Sequence, residues 1–219
     1  MLAVISKGEG TIMIRLDQAR AWYPDDDHTH GFAHVLRVYD LGEYIAQQEG
    51  ARWDIVRSAV LLHDAQGNAD RGGHHLVAAR FAKQVLEKEG WPREDISAVQ
   101  HCIRAHRYRD PGEEPQTLEA KVLFDADKLD AIGAVGTMRA IAYAVHNGQE
   151  LYHGPSKRFL ETGEKDPGEP HTPAHEFHFK LRHLSGKMYT DTGQRLAEER
   201  HQIMVQFFQH LDQELRGVS

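Results

Sequence analysis

The 219-residue sequence holds a single cysteine, Cys102, so no disulfide can staple the chain and a reducing compartment is the expected setting. No apolar run approaches the ~20 residues of a membrane-spanning helix. The opening Met1-Leu2-Ala3-Val4-Ile5-Ser6-Lys7-Gly8 has too short an apolar stretch for a signal peptide. A cytoplasmic protein with no membrane partner is expected. Positive charge is in deficit, with 26 Lys and Arg against 33 Asp and Glu and a net charge of −7. That argues against a nucleic-acid chain as partner, since backbone binding needs clustered Lys and Arg. Strand signals are scarce too: few stretches alternate with period two, and no Asn-Gly or Asp-Gly turn joins two β-branched runs. What is abundant is histidine, 16 residues spread along the chain rather than gathered in a tag-like run. Hydrophobic residues make up 40%, enough for a globular core.

The periodicity is helical nearly throughout and predicts one all-α domain spanning 1–219. Helices are expected over about Thr11–Trp22, His28–Gln48, Trp53–Ala65 and His74–Lys88. A further one starts at Pro92 and carries Ile96, Val99, Ile103 and His106 on one face. Thr117 reads as the N-cap of a long helix running to Val145. Residues 148–173 hold four of the eight prolines and no helical stripe, so they read as a long loop, a lid or a disordered segment. Two C-terminal helices are expected within 174–216, over Ala174–Tyr189 and Thr192–Arg216. Their stripes are Phe177, Leu181, Leu184 and Met188, then Leu196, Ile203, Phe207, Leu211 and Leu215. These stripes could pack internally or against a second copy of the chain, so a homo-oligomer is one expectation.

Chemistry points to His34, the pair His63-Asp64, and Asp127, each on a predicted helix of the region from about 28 to 147. His34 shares its face with Val38, Leu41 and Ile45, and His63 with Val56, Ala59 and Val60. Asp127 shares its face with Leu123, Asp130 and Ala134. Imidazole and carboxylate are ordinary ligands for zinc, manganese, iron, cobalt or nickel, and carboxylates also suit magnesium. Two His and two Asp would leave positions open for water and substrate. For His34 alone a hydrogen-bonded core histidine is the simpler reading. An inward Asp127 is harder to dismiss, because a buried unpaired carboxylate is costly. Asp125 points to nearly the opposite side, with Lys121 four residues before it, and reads as half of a solvated ion pair. His106 is a better site candidate than His101. His74 and His75, beside Gly72-Gly73, read as a surface helix start, and most of His153, His171, His175, His178 and His183 as surface residues. Gly133 and Gly136 within a helix suggest close approach of another helix to the Asp127 helix.

These residues resemble the HD superfamily of metal-dependent phosphohydrolases. The pattern H…HD…D falls on His34, His63, Asp64 and Asp127. The segment Asp125-Ala126-Asp127-Lys128-Leu129-Asp130-Ala131-Ile132-Gly133-Ala134 makes the match specific. It is similar above all to a bacterial subgroup of small stand-alone HD hydrolases, which carries Thr117-Leu118-Glu119-Ala120-Lys121 before that helix and Gly133-Ala134-Val135-Gly136 after its start. The C-terminal pattern Lys180-Leu181…Leu184…Met188…Thr190, then Gly193…Leu196-Ala197, extends the resemblance over about 11–216. One departure is Glu176-Phe177, where the subgroup often has His-Phe. Another is the segment after Asp64, where relatives often place a catalytic residue and where Asp70 and Arg71 could fill the role.

The resemblance implies an HD-fold helical bundle, a divalent metal ion (Mn, Mg, Co, Ni, Zn or Fe), and hydrolysis of a small phosphorylated substrate, with nucleotides a frequent class. Asp64 would hold the metal and orient the attacking water. Positive charge around the phosphoryl oxygens would come from His106, Lys128, Arg104 or Arg107. Arg37, three residues after His34, could reach the same pocket, and Lys157 and Arg158 could close over substrate. Two other classes remain: a di-iron oxygenase, in which His106 with His74, His75 or His101 completes a second metal site, and a non-catalytic metal-dependent nucleotide sensor.

Overall fold

A computed structural model of the chain describes residues 13–24, 31–66, 73–108 and 112–218. The described residues form helices joined by turns, with no strand among them. In chain order they are α1 Leu16–Arg20, α2 Phe32–Glu49, α3 Trp53–Leu62, α4 His74–Lys88, α5 Arg93–Ala105, α6 Leu118–Leu129, α7 Gly133–His146, α8 Lys157–Thr162, α9 Pro173–Phe179 and α10 Asp191–Leu215. The all-α expectation holds. His28 to His30 and residues 11–12, the expected starts of two helices, lie outside the described residues, as do Asp70 and Arg71.

The central helix is α3. Every residue from Ile55 to Leu62 is buried, Arg57 and Ser58 included, which fits a helix surrounded by others. It packs against α2, α5 and α6, while α4 covers α5. Local chemistry sets the boundaries. Gly50 closes α2 in the left-handed conformation that glycine adopts without strain. The Thr117 hydroxyl accepts from the Ala120 amide (3.2 Å) and starts α6, as the sequence predicts.

The predicted helix from Thr117 to Val145 is two helices. It breaks after Leu129, and the chain re-enters at Gly133 with φ of 76°. Close approach explains both glycines, but the neighbours differ and the helix approached is α7. A Cβ on Gly133 would lie 2.9 Å from the Cβ of Arg200 in α10, whereas one on Gly136 would collide with the Ala131 carbonyl oxygen in the turn before α7.

This approach also decides which face of α10 is buried. Gly193, Ala197, Met204 and Phe208 face inward, whereas Ile203, Phe207 and Leu215 are exposed, so the expected stripe is turned by about one residue. Small residues let the helix backbones come together where bulky ones would hold them apart.

Asp125 is not a solvated partner of Lys121. It is fully buried and accepts hydrogen bonds from the Tyr189 amide (2.9 Å), the Thr190 amide (2.8 Å) and the Thr190 hydroxyl (2.7 Å). The start of α10 packs on the side of α6 that the helical wheel assigns to water, and Asp125 ties the two together.

Residues 148–173 are not one irregular loop. Ser156 caps α8 by accepting from the Phe159 amide (3.0 Å), Gly163 ends it, and Phe159 is buried against the His175 ring. Lys157 and Arg158 pair locally with Glu161 and Glu164. The expected helix Ala174–Tyr189 is α9 followed by 3₁₀ turns at Leu181–His183 and Ser185–Lys187. Phe177, Leu181, Leu184 and Met188 are nevertheless all buried, so the stripe survives the change of helix type.

Candidate metal centre

Three helices end at one place. His63 is the C-cap of α3, His106 is the C-cap of α5, and Asp127 lies in the last turn of α6. Helix C-termini carry partial negative charge, so their convergence favours a cation. The two C-cap histidines use the same device. Nδ1–H of His63 donates to the Val60 carbonyl (2.7 Å) and Nδ1–H of His106 to the Ile103 carbonyl (2.6 Å). Each bond satisfies a carbonyl that the helix end leaves open, and each leaves Nε2 unspent.

His34 enters from α2 and is anchored differently. Its Nδ1–H donates to Asp130 Oδ2 (2.7 Å), a carboxylate held by Arg37 Nε (2.6 Å) and by Arg139 Nη1 (2.7 Å). Arg37 is therefore spent on orienting Asp130. In the sequence Asp130 stood out only as a residue on the Asp127 face.

The Nε2 atoms of these imidazoles meet two carboxylates. His34 Nε2 lies 3.4 Å from Asp127 Oδ1 and 3.4 Å from His63 Nε2. Asp64 lies between two sets of histidines. Its Oδ2 is 3.6 Å from His63 Nε2 and 4.0 Å from His34 Nε2, and its Oδ1 is 3.6 Å from His74 Nε2 and 3.7 Å from His106 Nε2. The structure thus brings together His34, His63, Asp64 and Asp127, and also His106. It adds His74, at the first turn of α4, which the sequence reading places on the surface and names only as one of three possible partners of His106 in a second metal site. Among the described residues, two groups have ligand atoms close enough to hold an ion: His34, His63 and Asp127, and Asp64, His74 and His106.

The electrostatics suit ligation. Burial alone would raise the Asp64 carboxyl, but the charges of His63, His106 and His34 hold it below its ordinary value. Burial likewise opposes ionisation of Asp127, and Lys128 and His34 overcome it and hold Asp127 well below the carboxylate range. Burial pushes His106 down to about 3, which favours its neutral imidazole near pH 7. Lys128 brings a positive charge to the cluster: its ammonium pairs with Asp127 and lies 5.4 Å from the centre of the Phe124 ring.

Other candidates stand apart. Arg104 and His101 both bind Glu113, at 2.5 and 2.6 Å. His175 is fully buried rather than on the surface, and pairs with Glu169 (2.8 Å). Beside the cluster, Tyr23 is buried and donates its hydroxyl to the Leu61 carbonyl (3.1 Å). After Asp64 the chain turns through Gln66 at φ of 62°, a conformation that side chains other than glycine adopt uncommonly.

Comparison with known proteins agrees with this geometry. The HD domain family matches residues 31–132. The Bacillus subtilis protein YpgQ is 35% identical over 210 residues, covering 93% of this chain and 95% of YpgQ. Its crystal structure in complex with ADP superposes with a TM-score of 0.71, at 33% identity, over 93% of this chain and 96% of that one. An HD-superfamily hydrolase from Bacillus thuringiensis gives a TM-score of 0.69 at 27% identity, over 92% and 94% of the two chains. Ribonuclease Y of Chloroflexus aurantiacus is 33% identical over 99 residues, which are 44% of this chain but 17% of that protein. The chain is therefore a member of the HD-domain family of hydrolases, with a divalent metal ion as its cofactor.

Proposed function

We propose that the protein is a metal-dependent phosphohydrolase acting on a small phosphorylated substrate, a nucleotide. The observation that carries this reading is the meeting of ligand atoms of His34, His63 and Asp127, with Asp64 Oδ2 within 4.0 Å of both histidines. A metal bound there would lower the pKa of a coordinated water towards neutrality and polarise a phosphoryl oxygen.

The roles of the chain's own residues follow from their contacts. His34, His63, Asp64 and Asp127 are the ligands. Asp130 holds the His34 ring, with Arg37 and Arg139 fixing Asp130 in turn. Asp64 presents two oxygens to two histidine pairs, which suits it to join two ions, the second held with His74 and His106. Lys128 is the cation at the edge of the cluster and is placed to meet charge developing on phosphate oxygens. The ADP complex of YpgQ, a relative over nearly the whole chain, supports a nucleotide substrate. The net charge of −7 speaks against a nucleic-acid chain.

The test is a hydrolysis screen on metal-stripped protein with Mn, Mg, Co, Ni, Zn and Fe(II) added back singly. Nucleoside mono-, di- and triphosphates and a generic phosphodiester are offered, with phosphate and pyrophosphate assayed separately. Metal-dependent turnover that is lost in His63→Ala and Asp127→Ala is the expected result. Stoichiometric metal binding with no turnover of any substrate would refute it. The Asp64, His74 and His106 group also favours a second reading, an oxygen-activating di-iron enzyme, because it supplies the further ligand set that chemistry needs. Turnover that requires oxygen and two equivalents of iron would establish it instead.

A further inference from the structure

Beside the metal cluster lies a cavity of about 230 Å³ that the chemistry above does not use. Its lining includes Arg107, Tyr108, Glu114, Phe124, Lys187 and Tyr189. Two features join it to the cluster. Arg107 directly follows His106 in the chain, and Phe124, one wall of the cavity, carries the Lys128 ammonium that pairs with Asp127. Tyr189 stands at right angles to Phe124, with ring centres 5.0 Å apart and planes at 88°, so the two rings make a corner. Tyr189 is 42% exposed.

We infer that this cavity is the subsite for the base of the nucleotide, an inference that rests on the nucleotide reading of the metal centre. It is smaller than the ~300–1,000 Å³ typical of pockets that enclose a whole drug-sized ligand, so it suits one end of the substrate. The exposed ring of Tyr189 is a face on which a flat heterocycle can stack, and such stacking is tolerant of base identity. Arg107 lines the cavity, and Lys128 pairs with Asp127 of the cluster and lies over Phe124 of the cavity wall, so positive charge is at hand on both sides for a phosphate chain. Phosphates at the metal cluster and base against Tyr189 put opposite ends of one molecule in two chemically matched places.

Equilibrium binding tests this with two non-hydrolysable probes, α,β-methylene-ADP and methylenediphosphonate, which share the diphosphate mimic and differ by the nucleoside. Both are titrated by calorimetry into the Mn-loaded parent, Tyr189→Ala and Tyr189→Phe. The parent prefers the nucleotide probe, and Tyr189→Ala lowers that preference about tenfold, within the range of aromatic–base stacking. Tyr189→Phe keeps the preference within about twofold of the parent, since it keeps the ring. The Tyr189 amide bond to Asp125 is backbone and persists in every variant. A parent that binds both probes equally or neither, or a preference untouched by Tyr189→Ala, overturns the inference. So does an equal loss in Tyr189→Phe. Phosphate hydrolysis without nucleotide preference would sink the subsite alone. Nucleotide preference in a protein that hydrolyses no phosphate would sink the hydrolase reading and leave the subsite standing.

Discussion

Two buried histidine–carboxylate pairs in this molecule look alike and do different things. His34 donates Nδ1–H to Asp130 at 2.7 Å, and His175 meets Glu169 through Nε2 at 2.8 Å. The second nitrogen separates them. His175 Nδ1 is already engaged, by the Thr172 hydroxyl at 2.8 Å and the Thr172 amide at 3.3 Å. Glu169 also accepts from the Ser156 and Asp166 amides, each at 2.6 Å, so the pair closes the segment between α7 and α9 on itself. His34 keeps Nε2 for Asp127 and its neighbours. A buried histidine with both nitrogens spent is a clasp. One whose second nitrogen is turned to a further carboxylate and histidine, as His34 Nε2 is to Asp127 and His63, is a site.

This contrast can be broken at several points, of decreasing expected effect. Removing Asp64, which faces both histidine sets, is the severest change at the cluster. Asp64→Ala is expected to lower metal-dependent turnover by more than the roughly 100-fold that bounds the loss of outer partners. Steady-state assays with saturating Mn would read it, and turnover within tenfold of the parent would contradict it.

Asp130→Asn acts one bond further out, through the orientation of His34. A loss of about 10–100-fold in metal affinity is expected, read by competition with a chromogenic chelator. Glu169→Gln makes the same chemical change in the other pair and should leave metal affinity within about twofold, because neither Glu169 nor His175 has a contact with the cluster. Equal losses in the two variants would erase the distinction.

The clasp should also respond to acid. Glu169 is held down to about 2, against burial, by the Ser156 amide and His175, and its free value is near 4.5. A carboxyl lowered in the folded state stabilises it above the unfolded value and loses that contribution as pH falls towards the folded one. His175 is lowered by burial, so protonation below about pH 6.5 also favours opening. Hydrogen exchange at the Phe159 and Glu176 amides should therefore quicken as pH drops from about 6.5 towards 2, after correction for the intrinsic rate. In Glu169→Gln the share of that change that Glu169 contributes, between about pH 4.5 and 2, should be lost. An unchanged profile in the variant would show that Glu169 does not hold the segment.

The two pairs also mark how far the sequence could be read. His34, His63 and Asp127 announce themselves because each lies on an inward helical stripe. Helix spacing is a local signal, and these helices are long enough to carry it. His175 gives no such signal. Its partner sits six residues away across a turn, and its buried environment is made by Phe159 of α8, a helix short enough to be missed. His74 fails for a related reason: the first residue of a helix after Gly72-Gly73 looks exposed, and only the tertiary placement of α4 on α5 turns it towards Asp64. Asp125 misleads because a helical wheel has one inside, whereas α6 is covered by α10 as well as by the central helices. The break at Gly133 and the turned face of α10 share one cause, a close helix approach that composition hints at but periodicity cannot place.

The most direct test of the two-sided reading of Asp64 is a Mn²⁺ titration of metal-stripped protein by calorimetry, run on the parent, His74→Ala and Asp64→Ala. The account predicts two equivalents bound by the parent, one by His74→Ala, and a large loss of affinity at both in Asp64→Ala. A parent that binds one equivalent, or binding undiminished by Asp64→Ala, would contradict it.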